Sequence, residues 1–269
     1  MVVVPRRARG PARVAPGTAA LRHTAPVQIE GKRALVTGSS SGIGEAVARA
    51  LARHGARVAV NSSSSVEAGR AVAADLPGGI YVQGDVADPA AARRVVEEAV
   101  QQLGGLDVLV NNAGTTVRIA HDDFDAVTPE VWRRILDVNV IGTWLVTQAA
   151  IPALRASGDG CIVNMGSVAG LRPAGSSVPY AASKAAVHHL TLLLANVLGP
   201  AVRVNAVAPG LIDTPWTAEW NDLRDAVRVM APLQRSGQPD DVAEIVLGLV
   251  RSAYVTGQVV ACDGGLALR

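Results

Sequence analysis

Tyr180 and Lys184 are the pair of residues whose types and spacing most directly suggest chemistry. They stand four residues apart in a segment with helical periodicity, so both side chains are expected on one helix face. A free tyrosine has a pKa of about 10 and is a poor acid–base group near neutral pH. A neighbouring ammonium stabilises the phenolate and lowers that pKa. The pair therefore predicts a tyrosine general acid or base whose pKa is tuned by a lysine.

Composition separates this pair from a surface tyrosine beside a solvated lysine. The chain has 23 Arg but only two Lys, Lys32 and Lys184. Lysine is a compact charge on a thin stem and also hydrogen-bonds a ribose, whereas the guanidinium of arginine is a broad fork. Because the chain uses arginine for nearly every other cation, a lysine at this position favours a specific role.

A glycine-rich turn follows the first predicted strand. It reads TGSSSGIG from Thr37 to Gly44, and a helical pattern begins at once. Such a turn lets the backbone approach a pyrophosphate, and the helix N-terminus offers free N–H groups and partial positive charge. The spacing G-x-x-x-G-x-G differs from G-x-G-x-x-G, but its place between the first strand and the first helix predicts a dinucleotide site.

Strand-length and helix-length patterns alternate from Lys32 onward. The strands are nearly continuous apolar runs, as in a parallel sheet that is buried on both faces. This alternation predicts the α/β class, with a single Rossmann-type doubly wound parallel sheet of about seven strands and helices on both faces. One long helix is expected to begin at Thr128-Pro129 and to run to about residue 157.

Several separated motifs, taken in order, resemble those of the short-chain dehydrogenase/reductase family. Besides TGSSSGIG they are Asp85-Val86, NNAG at Asn111–Gly114, LDVNV around Asn139, Ser167, YAASK at Tyr180–Lys184, and Pro209-Gly210 followed by Thr214. The resemblance covers residues 29–269. The segments PLQRSGQPDDVAEIVLGLV and VTGQVVACDGG are similar to the 3-oxoacyl-carrier-protein reductase-like subgroup. The family resemblance implies an NAD(P)-dependent oxidoreductase that transfers a hydride between nicotinamide and a ketone or secondary alcohol.

The resemblance also implies roles for individual residues. Ser167 is expected to hydrogen-bond the same substrate oxygen as Tyr180, and Asn139 to interrupt its helix and hold a water that links Lys184 to solvent. The implied catalytic residues are Asn139, Ser167, Tyr180 and Lys184; the implied substrate contacts are Ser167, Tyr180 and Trp216. The implied cofactor-binding residues are Gly38, Ser40, Ser41, Gly42, Ile43, Gly44, Asn61, Ser62, Ser63, Asp85, Val86, Asn112, Ala113, Gly114, Tyr180, Lys184, Pro209, Gly210, Ile212 and Thr214. No metal site is expected.

The end of the second predicted strand bears on the choice of cofactor. A carboxylate there would bind the adenosine ribose and repel a 2′-phosphate, selecting NAD. The chain instead has Asn61 followed by the serine run Ser62–Ser65. NADP is therefore favoured over NAD, with the serine hydroxyls and those of Ser39 and Ser40 as candidate phosphate ligands, although neither loop supplies an Arg or Lys. Ser65 is also expected to cap the helix that follows.

The segment at about 211–235 occupies the position of the family's substrate lid. Trp216 and Trp220 would either cover an apolar substrate or pack the lid onto the body, and the sequence leaves both alternatives open. Further candidate pocket residues are Thr115, Trp144, Val168, Gly170, Arg172 and Ser177. The expected substrate is a small carbonyl or alcohol compound, free or bound to an acyl carrier. The resemblance further implies a homotetramer that pairs through the helices beginning near Pro129 and Pro179.

Length and charge distribution narrow the class of protein. A chain of 269 residues with 49% hydrophobic residues suits one large catalytic domain, expected at 29–269. Residues 1–30 carry five Arg and one Glu, whereas residues 31–269 carry 20 basic and 22 acidic residues, so no nucleic-acid partner is expected. Residues 1–28 are expected to form a disordered or weakly ordered basic extension. No membrane span is expected, and the location is expected to be cytoplasmic.

Two other functions remain open from the sequence. An epimerase or dehydratase would use the same cofactor site, and a non-catalytic nucleotide-sensing protein would bind the cofactor without turnover. Relatives of the sensing kind typically lose the tyrosine or the lysine, whereas this chain retains Tyr180 and Lys184.

Overall fold

The structure, a computed structural model, describes residues 26–268. A seven-stranded parallel sheet lies at its centre, with the strand order β3-β2-β1-β4-β5-β6-β7. The strands are β1 (Arg33–Val36), β2 (Arg57–Ser62), β3 (Ile80–Gln83), β4 (Val108–Asn111), β5 (Gly160–Met165), β6 (Val202–Pro209) and β7 (Val259–Cys262). The helices are α1 (Gly42–Arg53), α2 (Val66–Asp75), α3 (Pro89–Leu103), α4 (Pro129–Leu136), α5 (Thr143–Ala156), α6 (Val178–Leu198), α7 (Asn221–Met230) and α8 (Pro239–Arg251). The predicted doubly wound α/β fold is confirmed.

Two hydrophobic layers cover the two faces of the sheet. Successive side chains of a strand point to opposite faces, so Leu35 and Val36 of β1 belong to different layers. The layer containing Val36 packs under α1 and α8, and the layer containing Leu35 packs under α3 and α5. Burial on both sides explains why these strands read as continuous apolar runs.

The strand order reverses between β1 and β4. The chain leaves β1 toward β2 and β3, and it leaves β4 in the opposite direction, toward β5, β6 and β7. The loops that follow β1 and β4 therefore separate at the carboxyl edge of the sheet. Such a switch point forms the crevice in which doubly wound folds bind ligands.

The long helix predicted from Pro129 is interrupted. A π-helical segment, Asp137–Gly142, separates α4 from α5 and contains Asn139. The combined stretch Pro129–Ala156 is long and apolar enough to cross a membrane by length and composition alone, a test that core helices also meet. Val146, Ala150 and Leu154 of this stretch are buried against the sheet, as in a core helix, whereas Ile141 and Trp144 are exposed.

The N-terminal extension predicted at residues 1–28 lies mostly outside the described residues, which begin at residue 26. The last part of this segment packs on the body of the domain. Val27 is buried, and its N–H donates to the carbonyl of Arg251 at the end of α8 over 2.8 Å.

An ion pair at the amino end of β1 fixes the start of the sheet. Arg33 Nε and Nη2 donate to the two carboxylate oxygens of Asp107 over 2.7 and 3.0 Å, and the Arg33 N–H donates to the same group over 2.8 Å. Burial alone would raise the pKa of Asp107, but hydrogen bonds and charge from Arg33 outweigh it and hold the pKa below its usual value.

We expect Asp107→Asn to lower the free energy of unfolding by about 2 kcal/mol at neutral pH, because it removes charged hydrogen bonds from Arg33. Since the folded pKa is depressed, this stabilisation is present above the unfolded value of about 3.9 and is lost as the pH falls through the folded pKa. Urea unfolding of both proteins between neutral and acid pH measures the difference. A difference that stays constant as the pH falls would contradict the assignment.

Candidate active site

Two glycines let the loop after β1 approach the loop after β4. Gly38 has φ +61°, and a Cβ placed on it would stand 2.8 Å from the Cα of Ala113. A Cβ on Gly44, in the first turn of α1, would overlap the carbonyl oxygen of Gly38. The glycine spacing of the TGSSSGIG turn is therefore required by close packing around the start of α1, whose free N–H groups suit a pyrophosphate.

Asn112 ties the two loops together. Its Nδ2 donates to the carbonyls of Thr37 and Gly38 over 3.0 and 2.8 Å. In return, Thr37 Oγ1 accepts from the N–H groups of Asn112 and Ala113 over 3.0 and 3.1 Å. The side chain of Asn112 thus holds the backbone of the glycine loop in its conformation.

Ser39, a candidate phosphate ligand in the sequence, does not line the cavity. It is fully buried, its Oγ donates to the carbonyl of Val36 over 2.7 Å, and the same Oγ accepts from the N–H of Asn61 over 3.1 Å. Its hydroxyl joins the glycine loop to β2. Of the serines in this loop, Ser40 and Ser41 line the cavity.

Asn61 and Ser62, at the end of β2, use their side chains within the protein. Asn61 Nδ2 donates to the carbonyls of Val82 and Gly84 over 3.1 and 3.2 Å, and its Oδ1 accepts from the N–H of Gly38. The Ser62 hydroxyl is 3.0 Å from the carbonyl of Ser65 and 2.9 Å from the Tyr81 hydroxyl.

Ser63 is therefore the first residue after Asn61 that has an exposed side chain and lines the cavity. Ser65 stands at the N-cap of α2 as predicted, but its side chain makes no capping hydrogen bond. The predicted stretch lines the cavity, and the hydrogen bonds show which of its side chains are not already used within the protein.

One cavity of about 900 Å³ joins the glycine loop, the end of β2 and the lid. It brings together every residue predicted for the cofactor, and Ser167 and Trp216 as well. Thr115 and Val168 also line it, whereas Trp144, Gly170, Arg172 and Ser177, predicted as pocket residues, do not. Trp144 instead lies on the outer surface of α5, 40% exposed. The sequence analysis did not predict one part of the cavity lining, which comes from α7 and from the C-terminal segment: Leu223, Ala226, Val227, Met230 and Leu266.

The hydroxyls of Ser167 and Tyr180 and the ammonium of Lys184 meet at one end of this cavity. Ser167 follows β5, and its Oγ accepts from the N–H of Ala169 over 3.1 Å, which leaves its own hydrogen free to donate. Tyr180 and Lys184 lie on one face of α6, and Lys184 Nζ stands 5.6 Å from the centroid of the Tyr180 ring. The same Nζ donates to the carbonyl of Met165 over 2.8 Å.

Burial dominates the acid–base properties of this group. It raises the pKa of Tyr180 to about 12, with a hydrogen bond to Ser167 acting in the opposite direction. Burial also lowers the pKa of Lys184 to about 8. The sequence predicted a lowered tyrosine pKa, whereas here the pKa is raised, because desolvation of the phenolate outweighs the hydrogen bond from Ser167.

Asn139 does not line the cavity. Its Oδ1 accepts from the N–H of Thr115 over 2.7 Å, and its Nδ2 donates to the carbonyl of Thr115 and to Ser183 Oγ over 3.0 and 2.9 Å. The amide therefore joins the loop after β4 to α6. The interruption of the helix expected at this residue is present as the π-helical segment.

The lid is held at both ends by polar contacts. Asp213 accepts from Arg224 of α7 over 2.7 Å, from Ser236 over 2.7 Å and from Gln238 over 2.9 Å. Burial opposes ionisation of Asp213, but these three hydrogen bonds lower its pKa overall. An exposed ion pair between Arg118 and Asp222 joins the lid to the loop after β4.

The sequence left open whether Trp216 covers a substrate or packs the lid onto the body, and its position suits both roles. Its ring meets the Tyr180 ring edge-on, with centroids 6.4 Å apart and an interplanar angle of 90°. It also lines the cavity and remains 50% exposed. The side chain thus packs the lid onto the body and leaves an aromatic surface beside Tyr180.

A doubly wound sheet with a glycine loop at its switch point, next to a Ser-Tyr-Lys group, defines a nicotinamide-dependent oxidoreductase. A family model described as enoyl-(acyl carrier protein) reductase, of the short-chain dehydrogenase/reductase family, matches residues 38–267. The chain belongs to the short-chain dehydrogenase/reductase family, and its relatives include 3-oxoacyl-carrier-protein reductases, as the motifs predicted.

Three proteins illustrate the similarity. A Streptomyces violaceoruber protein named as ketoacyl reductase 2 of the granaticin polyketide synthase is 59% identical over 87% of this chain and 96% of its own length. The 3-oxoacyl-(acyl-carrier-protein) reductase of Thermotoga maritima is 41% identical over 90% of this chain and 100% of its own. The crystal structure of a short-chain dehydrogenase from Burkholderia cenocepacia in complex with NADP is 38% identical, covers 90% of this chain and 100% of its own, and has a TM-score of 0.83.

We expect Asn61→Asp to destabilise the protein instead of cleanly changing its cofactor preference. The carboxylate would face the carbonyls of Val82 and Gly84 with no hydrogen to donate, at a cost of about 1–3 kcal/mol. Ser63→Asp, on an exposed neighbour, is the matched control and should leave the free energy of unfolding unchanged. Equal stability of the two variants in urea unfolding would show that the Asn61 amide is not needed for the fold.

Proposed function

We propose that this protein is an NADPH-dependent ketoreductase that reduces a ketone group on an acyl chain. The acyl chain is either a free thioester or attached to an acyl carrier. The observation that carries the proposal is the convergence of the Ser167 and Tyr180 hydroxyls beside Lys184, at the end of a cavity that begins at the glycine loop. Two donors directed at one position suit a carbonyl oxygen that becomes a hydroxyl. The ketoacyl reductase names of two relatives support the same substrate class.

The residues at the glycine loop fit a dinucleotide. Gly38, Gly42 and Gly44 line the cavity without side chains, and α1 presents its N-terminus to the same space. Ile212, Thr214 and the loop after β6 close the other side. A bound reduced nicotinamide would supply the hydride.

Ser167 and Tyr180 act on the substrate oxygen. Ser167 donates a hydrogen bond that orients and polarises the carbonyl, and the N–H of Ala169 holds the hydroxyl in place by donating to its Oγ. Tyr180 transfers its proton to the oxygen as negative charge develops there. With its pKa raised to about 12, Tyr180 stays protonated at neutral pH, which suits the direction of reduction.

Lys184 stabilises the phenolate that this transfer leaves. One of its three N–H groups is used by the carbonyl of Met165, so two remain for a ribose hydroxyl and for resupply of the proton. Asn139 fixes the loop at Thr115 against α6 and so keeps the surroundings of Lys184 in place. The buried ammonium acts in a medium of low polarity, where its charge has a larger effect than in water.

The lid shapes the substrate side of the cavity. Trp216, Trp220, Leu223, Val227 and Met230 form a largely apolar wall next to Tyr180. This wall suits an extended acyl chain or a flat apolar compound. The segment we assign to the lid, about 211–235, includes α7 and the polar anchor at Asp213.

Pairing of subunits through α5 and α6 would cover exposed apolar side chains. Leu192, Leu193 and Val197 of α6 and Trp144 of α5 are 45%, 54%, 63% and 40% exposed. These residues support the homotetramer that we propose, since monomeric proteins rarely expose such side chains together.

Tyr180→Phe should reduce turnover by about 1,000-fold or more, because it removes the proton donor. The assay follows NADPH absorbance with a β-ketoacyl thioester, an α,β-unsaturated thioester and simple ketones. NADPH binding, measured by calorimetry, should be retained. Reduction of only the unsaturated thioester would refute the ketoreductase assignment, and NADPH binding by wild type without turnover of any compound would favour a sensor.

Cofactor preference should depend on Ser63, the first free side chain beyond β2. We expect Ser63→Arg to raise kcat/KM for NADPH over NADH by about tenfold, through a charged hydrogen bond to the 2′-phosphate. Ser63→Asp should shift the ratio toward NADH by repulsion. Ser64→Arg, also exposed but not lining the cavity, is the control. Unchanged ratios in both Ser63 variants would place the selecting contact elsewhere.

A further inference from the structure

We propose that His188 is a positioning residue for Ser167 and that it acts as a neutral hydrogen-bond acceptor. His188 lies on α6, four residues after Lys184 and eight after Tyr180, so the three side chains share one helix face. The inference rests on the proposed function, because it concerns the hydroxyl that orients the substrate carbonyl.

The imidazole lies directly behind the backbone of Ser167. His188 Nε2 accepts from the N–H of Ser167 over 3.4 Å, and both groups are buried. An acceptor nitrogen carries no hydrogen, so a neutral ring has its proton on Nδ1. His188 is 7% exposed, and Nδ1 makes no hydrogen bond within the described residues.

Two glycines on either side of Ser167 make room for this ring. A Cβ on Gly166 would overlap His188 Nε2, and a Cβ on Gly170 would stand 2.8 Å from Cε1 of the ring. Neither glycine has a positive φ. The lack of a side chain at these two positions therefore reflects the close approach of the imidazole and of the α6 backbone, and not a special backbone conformation.

The surroundings of His188 keep the ring neutral. Burial lowers its pKa, and the positive charge of Lys184 lowers it further, with the backbone of Gly170 acting weakly in the opposite direction. Lys184, on the same helix, is the charged group that acts on the ring. The segments after β5 face it with Ser167 and with backbone groups of Gly166 and Gly170. A protonated ring would offer no lone pair to the Ser167 N–H and would place a second cation beside Lys184.

The hydrogen bond from the Ser167 N–H to His188 predicts a particular pattern of kinetic effects. His188→Leu should lower kcat by about tenfold through misplacement of the Ser167 hydroxyl, with the KM for NADPH within about twofold of wild type. His188→Gln, whose amide oxygen can accept the same hydrogen bond, should restore most of kcat. His54→Leu, which removes a histidine that lies after α1 and does not line the cavity, is the control and should keep the wild-type kcat.

The test is a double-mutant cycle in the NADPH-linked thioester assay. If His188 acts through Ser167, then His188→Leu should have almost no further effect in a Ser167→Ala background. Additive losses, or a His188→Leu enzyme with full kcat, would overturn the inference. The wild-type kcat should also fall at acid pH as the ring is protonated, and that fall should be absent in His188→Gln; superimposable profiles would likewise overturn it.

A measurement on the wild-type protein separates this inference from the proposed function. Imidazole ¹⁵N NMR should show His188 as the Nδ1–H tautomer with Nε2 unprotonated at neutral pH, whether or not a substrate is turned over. An Nε2–H tautomer would refute the positioning role even in an active ketoreductase. An inactive wild type with the expected tautomer would refute the proposed function alone.

Discussion

The site depends on one constraint, the close approach of the loops that follow β1 and β4. The sheet topology sends the chain in opposite directions from these two strands, which opens a crevice at their carboxyl ends. Asn112 holds the crevice to a definite shape by hydrogen-bonding the backbone of Thr37 and Gly38, and Gly38 leaves no side chain in the gap. The start of α1, the end of β2 through Asn61, and the cavity itself all take their position from this junction.

Helix α6 positions three of the side chains at the other end of the cavity. Its four-residue spacing places Tyr180, Lys184 and His188 on one face, which packs against the segments that follow β5. Burial of this face changes the properties of all three side chains, since desolvation raises the pKa of the tyrosine and lowers those of the lysine and the histidine. The same low polarity strengthens the hydrogen bonds and charges that would act on a substrate oxygen.

Most of the fold and the main site residues followed from the sequence because their signals are local. Apolar runs of strand length, the Thr128-Pro129 start of α4 and the TGSSSGIG turn depend on neighbours in the chain, and each was found where predicted. The interruption of the long helix was expected only through the family resemblance, because the run from Pro129 has unbroken helical periodicity. The lid wall at Leu223, Val227 and Met230 was missed, since an amphipathic helix does not show which partner its apolar face will meet.

The sequence by itself determined the order of the elements, the glycine turn after β1 and the placement of Tyr180 and Lys184 on one helix face, because these depend on residue type and spacing along the chain, and the family resemblance added Ser167. The tertiary structure decided which side chains are free to act. Ser39, Asn61 and Ser62 proved to be bound within the protein, Ser63 proved to be exposed, and His188 proved to lie behind Ser167. The physical reason is that a polar side chain satisfies its hydrogen bonds with whichever groups the fold brings within about 3 Å, and those groups are distant in sequence.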